Sequence, residues 1–195
     1  MANIATSEIV FISTDKAELK SLHDAMKENL WVGEILKERN IDPETVVCRS
    51  TILYVDDGEG LETKTVDGLY FPEGEYYFKI GTSDAWETCT NAWDKICGTY
   101  HNMEYVYRCE EGGCDYFVNS DSSRFYLPEE YYVEVVDEFG DYVESEYFDS
   151  DEDLLDYARL YEFDYDYVDE LMERMDDEDL QDSVHLLIHK FEDVE

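Results

Sequence analysis

Cations are scarce in this chain: 14 Lys and Arg stand against 51 Asp and Glu, giving a formal charge of -37. Such a surface offers no footprint for DNA or RNA phosphates, and an anionic membrane face repels it. Long apolar runs are missing too; no stretch approaches the roughly 20 residues of a membrane-spanning helix. The opening MANIATSEIVFIS has neither a basic region nor an extended apolar core, which predicts no signal peptide. Five cysteines (Cys48, Cys89, Cys97, Cys109 and Cys114) form an odd set without secretory context. They predict reduced thiols in a cytoplasm and no disulfide framework. GxSxG, P-loop, GxGxxG and HExxH patterns are absent, so neither an enzyme nor a cofactor is expected. Carboxylate pairs are so abundant that none of them marks a glycosidase site.

What is present argues for a folded protein. Hydrophobic residues make up 44% of the chain and aromatics 15%, with 17 Tyr and 9 Phe, far above the content of disordered acidic tails. A length of 195 residues allows one large domain or two small ones. The charge is uneven: residues 1–100 carry 19 acids and 9 bases, residues 101–195 carry 32 acids and 5 bases. Salt adaptation would acidify the whole surface, yet seven of the eight lysines lie at or before Lys95.

The hydrophobic pattern predicts an α+β fold with no internal repeat. EIVFIS (Glu8 to Ser13) reads as a strand, followed by Thr14–Asp15 as cap of a helix to about Leu30, with Leu19, Leu22 and Met26 on one face. WVGEILKERN extends it or starts a second short helix. STILYVDD and Tyr76–Ile80 read as strands. SDAWETCTNAWDKICGTY reads as a helix capped by Ser83 or Asp84, placing Trp86, Cys89, Trp93, Ile96 and Cys97 on one stripe before Gly98. Two hairpins follow, one around EGG and one around Phe139–Gly140. Three acidic helices are then expected, built on Leu154, Leu155 and Ala158; on Val168, Leu171, Met172 and Met175; and on Leu180, Val184, Leu187, Ile188 and Phe191.

In SDAWETCTNAWDKICGTYHNMEYVYRCEEGGCDYF, a Trp-bearing helix leads to an aromatic strand, an acidic glycine turn and another strand. This arrangement, with the opening strand and the TDKAELKSLHDAM helix, resembles the YubB-type ferredoxin-like domains of phage and plasmid proteins over residues 1–135. The resemblance implies a ferredoxin-like sheet with helices and a mobile-element origin, and it brings no catalytic residues. The expected organisation is a ferredoxin-like domain over 1–147 and an acidic helical region over 148–195 packed on it.

The chemistry that stands out is charge. Between Glu146 and Ser183, 17 of 38 residues are Asp or Glu. The candidate partner-binding set is Asp149, Asp151, Glu152, Asp153, Asp156, Glu162, Asp164, Asp166, Asp169, Glu170, Glu173, Asp176, Asp177, Glu178 and Asp179. Tyr161, Tyr165 and Tyr167 join it, because tyrosine suits protein interfaces and stacking on guanidinium groups, although about half of the tyrosines in this stretch would serve to fill a small core. Carboxylates at i, i+3 and i+4 lie about 5–6 Å apart at Cβ, while phosphates recur about every 3.4 Å along a DNA strand. The pattern points to a DNA or RNA mimic of anti-CRISPR or anti-restriction type. Such a mimic would occupy the basic nucleic-acid-binding surface of a host defence protein without touching nucleic acid or membrane itself, and a homodimer would lengthen the array. The bland alternative is a phage regulatory or scaffold protein whose acid only keeps it soluble.

Metal readings are weaker. Cys89, Cys97, Cys109 and Cys114 lack the close CxxC pairs of zinc ribbons, and two of them share the Trp stripe, where thiols pack as small apolar groups. His185 and His189 at i, i+4, with Asp182 one turn earlier, make a possible surface metal pair, but two histidines beside an acid are common by chance. NSDSSRFYLPEE carries Arg124 where a calcium loop needs glycine. No metal site is expected.

Overall fold

Alternating side chains in IATSEIVFIS make β1 (Ile4–Ser13), which sends Ile9 and Phe11 into the core beneath the helices. The computed structural model describes residues 4–46, 49–67, 71–137, 139–175 and 184–194, with backbone only at 66–67 and 71–73. The fold is α+β, in two units: residues 1–121 with 194–195, and residues 122–193.

In the larger unit, Asp15 caps α1 (Lys16–Glu28) by accepting from the amides of Ala17 and Glu18 at 2.8 and 3.2 Å. A second helix, α2 (Val32–Glu38), follows. Then come β2 (Ser50–Val55), the short β3 (Thr65–Asp67) and the long β4 (Phe71–Ala85). Helix α3 (Thr90–Cys97) leads to β5 (Met103–Glu111) and β6 (Tyr116–Asn119). The sheet order is β6-β5-β1-β4-β2, with β3 beside β4. The β1–β4, β1–β5, β2–β4, β3–β4 and β5–β6 pairs are antiparallel. Both helical crossovers, β1 to β2 and β4 to β5, therefore skip one strand.

The three helices contribute Leu19, Leu22, Met26, Val32, Ile35, Trp93 and Ile96 to one core with Ile9, Phe11, Phe78 and Ile80. Phe11 stacks on Phe78 at 5.2 Å and meets the edge of Trp93 at 5.6 Å. Each such side chain contributes about 1.5–3 kcal/mol by leaving water. Elsewhere on the sheet the Tyr54 ring occupies the space above Gly81, where any Cβ would collide with it, and its hydroxyl donates to Glu8 at 3.0 Å.

One expected helix starts late. Strand β4 stays paired with β1 as far as Ala85, opposite Ile4, which excludes a helix over Ser83–Ala85, and α3 begins at Thr90. Ser83 and Asp84 are strand residues, and Trp86, expected on the buried stripe, is 56% exposed with φ +80°.

The smaller unit holds β7 (Tyr131–Val136), β8 (Tyr142–Phe148), α4 (Asp151–Arg159), α5 (Val168–Met175) and β9 (His185–Lys190), with the two-residue β10 (Glu192–Asp193) after it. Its sheet runs β8-β7-β9, antiparallel throughout. Tyr131, Val133 and Val135 alternate inward from β7 and meet Leu154, Leu155 and Ala158 of α4 and Val168, Leu171 and Met175 of α5. Strands β7 and β8, which the sequence grouped with the first half, thus share their core with the acidic helices.

From His185 the third expected helix is a strand, while Leu180 lies outside the described residues. Val184, Leu187, Ile188 and Phe191 fit helical spacing, but Leu186 is the residue buried against β7 and Leu187 is 39% exposed. A two-stranded hairpin would leave the inner edge of β7 with unpaired amides and carbonyls, and β9 satisfies them. Four residues of strand set His185 and His189 roughly 13 Å apart, which parts the candidate pair, and Asp182 lies outside the described residues.

Candidate acidic interface

The two short helices owe their existence to strict segregation of apolar and acidic positions. Ser150 caps α4, accepting from the Asp153 amide at 3.3 Å and donating to its carboxylate at 2.7 Å. Asp151, Glu152 and Asp153 fill the first turn, where the helix dipole favours negative charge, and Asp169 and Glu170 do the same on α5. With Leu154, Leu155 and Ala158 turned inward, Asp156 joins the solvent side; Val168, Leu171 and Met175 likewise leave Glu173 outside.

Eleven candidate acids lie among the described residues: Asp149, Asp151, Glu152, Asp153, Asp156, Glu162, Asp164, Asp166, Asp169, Glu170 and Glu173. All are exposed. Asp176, Asp177, Glu178 and Asp179 lie outside the described residues. Helices of nine and eight residues are about 12–14 Å long, the span of roughly four phosphates on one DNA strand. Arg159 tempers the array by pairing with Asp156 at 2.5 Å and Asp164 at 3.3 Å. Its own pKa is raised, first by Asp164 and then by Asp156.

The tyrosines divide. Tyr167 is 67% exposed and available to a partner, as is Leu160 at 75% on the preceding turn. Tyr161 and Tyr165 are half-buried against the core of this unit. Tyr161 also donates to Glu144 at 2.5 Å, a carboxylate that accepts from Tyr157 at 2.9 Å as well. The two phenols, Tyr161 first, hold Glu144 below the usual carboxylate range. At the start of α4, the Tyr131 hydroxyl donates to Asp151 at 2.6 Å, and burial followed by that bond pushes the phenol well up. Glu144, Tyr157 and Tyr131 therefore fix how the acidic helix sits on its sheet. The sequence signal for Tyr131 and Glu144 was only the in–out alternation of the β7–β8 hairpin, and Tyr157 showed only as one more tyrosine among the acids.

Between the helices, Glu162 adopts φ +70° while the amides of Tyr161 and Phe163 both donate to the Ala158 carbonyl. Glycine usually takes this left-handed position at a helix end. A glutamate there holds one more charge outward at a cost of about 1–2 kcal/mol.

The four cysteines of the candidate thiolate site do not gather into one, and Cys48 lies outside the described residues. Cys89 and Cys97 lie in the main core, Cys109 packs in a separate cluster with Ala5 and Val118, and Cys114 is exposed. Burial pushes the Cys97 thiol up to about 12, which suits packing and not metal ligation. Among the described residues no group of three or more His, Cys, Asp or Glu could hold a metal ion. Nor is any described helix long and apolar enough to cross a membrane. In comparisons with known proteins the chain matches no family model, no curated protein and no solved structure.

Proposed function

We propose that the protein acts stoichiometrically as a nucleic-acid mimic. It docks the α4–α5 face onto the basic DNA- or RNA-binding surface of a bacterial defence protein, of CRISPR-effector or restriction-enzyme type. The observation that carries this reading is the uniform exposure of the eleven described candidate acids on a unit whose helices are pinned to a sheet. Pinned carboxylates displace counterions from a cationic groove as phosphates do, and long-range attraction speeds the encounter. Tyr167 and Leu160 supply apolar anchorage beside the charge.

For the larger unit we propose a ferredoxin-like sandwich of YubB type. Support comes from the order β1, α1–α2, β2, β4, α3, β5 and the antiparallel sheet β5-β1-β4-β2, with β6 added at the β5 edge.

The test uses purified nucleases of both types. Wild-type protein at one to a few equivalents should block DNA cleavage, and higher salt or excess DNA should restore it. A variant with Asn or Gln at Asp151, Glu152, Asp153, Asp156, Asp169, Glu170 and Glu173 should lose the block. Inhibition that survives neutralisation would sink the mimic. It would favour a scaffold or regulatory role, a reading supported by the exposed apolar pair Leu160 and Tyr167.

A further inference from the structure

Arg49 is the anomaly of the larger unit. Among the described residues it is the one Lys or Arg whose side chain has no ion pair, hydrogen bond or cation–π contact, on a chain where anions outnumber cations 51 to 14. Left unpartnered amid so much carboxylate, a guanidinium is available to an anion from outside.

The side chain stands where two clefts meet, of about 520 and 510 Å³, which share Arg49 and Ala85 in their walls. Each has an exposed indole at its rim: Trp31 (63% exposed) in the first, Trp86 (56%) in the second. Trp86 is held in the left-handed region, which costs a bulky residue strain and keeps its ring out of the core. The third tryptophan, Trp93, is fully buried.

The first cleft also has polar walls whose hydrogen-bonding capacity is only partly used. Ser50 and Asp84 face each other across the β2–β4 ladder, and both line it. Asp84 is 2% exposed; its Oδ2 accepts from Thr82 at 2.6 Å and Ser7 at 2.9 Å, while its Oδ1 makes no bond of proper geometry. Ser50, 4% exposed, has the same deficit at its hydroxyl, although it lies near enough to favour the ionised form of Asp84. Buried polar atoms without partners are rare, and next to a cleft they suit a ligand with hydrogen-bonding edges. Glu34, also in this wall, is already paired with Lys37 at 2.6 Å.

We propose that the first cleft is a binding site for a nucleoside monophosphate, with the base against Trp31, the phosphate on Arg49, and the base edge toward Ser50 and Asp84. Indole–base stacking and a charge-assisted guanidinium–phosphate bond are each strong enough to matter in a small site. The surrounding charge selects the ligand's size. Every further phosphate meets the field of a chain at -37, so affinity falls from mono- to triphosphate and fails for a strand. None of this rests on the acidic helices.

The test titrates AMP, GMP, CMP and UMP separately into the intact protein at moderate salt, reading tryptophan emission and amide NMR shifts. Nucleosides, triphosphates, inorganic phosphate and a short oligonucleotide serve as comparators. At least one monophosphate should quench saturably below about 1 mM, the weak end of specific affinities. Arg49→Gln should weaken it about tenfold or more while leaving the nucleoside within about twofold, as loss of a charge-assisted bond predicts. Trp31→Phe should weaken both and abolish the quench, whereas Trp93→Phe should keep it. No saturation by either readout, equal binding by Arg49→Gln, or tighter binding of triphosphate or oligonucleotide would overturn the proposal.

Discussion

The two units handle carboxylates in opposite ways. In the larger, Asp84 sits under the sheet end in a nest of hydroxyls, and burial pushes its pKa up despite the bonds from Thr82 and Ser7. In the smaller, Glu144 lies at the surface and two phenols hold its pKa down. The first unit spends its polar groups inward and balances many surface acids with lysines, as Lys16 does for Glu62 and Lys79 for Glu8. The second turns nearly all its acid outward, with a small core to hold it. A core that can absorb a buried carboxylate has stability in reserve; a thin one must keep charge in water.

Substitutions can break or sharpen that contrast. The largest effect should come from the cores. Trp93→Ala should cost about 3–5 kcal/mol and Leu171→Ala about 2–5 kcal/mol. Denaturant melts followed by unit-specific NMR signals should show each loss mainly in its own unit, and equal losses in both would mean that the units unfold as one.

Asp84→Asn comes next. A carboxyl whose folded pKa is raised adds stability that is complete below its unfolded pKa and is lost as pH rises through the folded one. The stability difference, wild type minus variant, should therefore shrink from acid toward neutral pH in calorimetric melts. Glu162→Gly, which relieves the left-handed glutamate, should stabilise the smaller unit by about 0.5–1 kcal/mol, offset in part by glycine's freedom in the unfolded chain. Smallest is Glu144→Gln, with the opposite pH sign to Asp84. A depressed carboxylate stabilises above its unfolded pKa, for which 4.5 is the ordinary value, and that support fades as pH falls through the lower folded value. The wild-type advantage should be flat near neutrality and vanish in acid.

Much of the fold could be read locally. Asp15 announced its helix because an N-cap is a side-chain bond within three residues, and Ser150 caps α4 by the same local bond. Both hairpins were visible in their alternation and turns. What escaped was decided at long range. Strand β4 outlasts its local signals because β1 is there to pair with it as far as Ala85, and β9 is a strand because β7 needs a partner. The candidate acids could be found by counting, and the exposure of the described ones follows from helical spacing. Which tyrosines fill the core did not show, since a tyrosine beside aspartates reads alike whether its ring faces water or Phe163. Arg49 carried no signal in sequence; its isolation exists only once every other described cation has found its contact.

Strand β9 turns the last stretch of described chain into scaffolding for what precedes it. A polypeptide halted after Met175 would retain all eleven described carboxylates of the interface yet forfeit one of the three strands beneath them. Such a truncation separates ionic content from shape. A partner attracted by anions alone would still hold it, and one that grips a rigid contour would let it go.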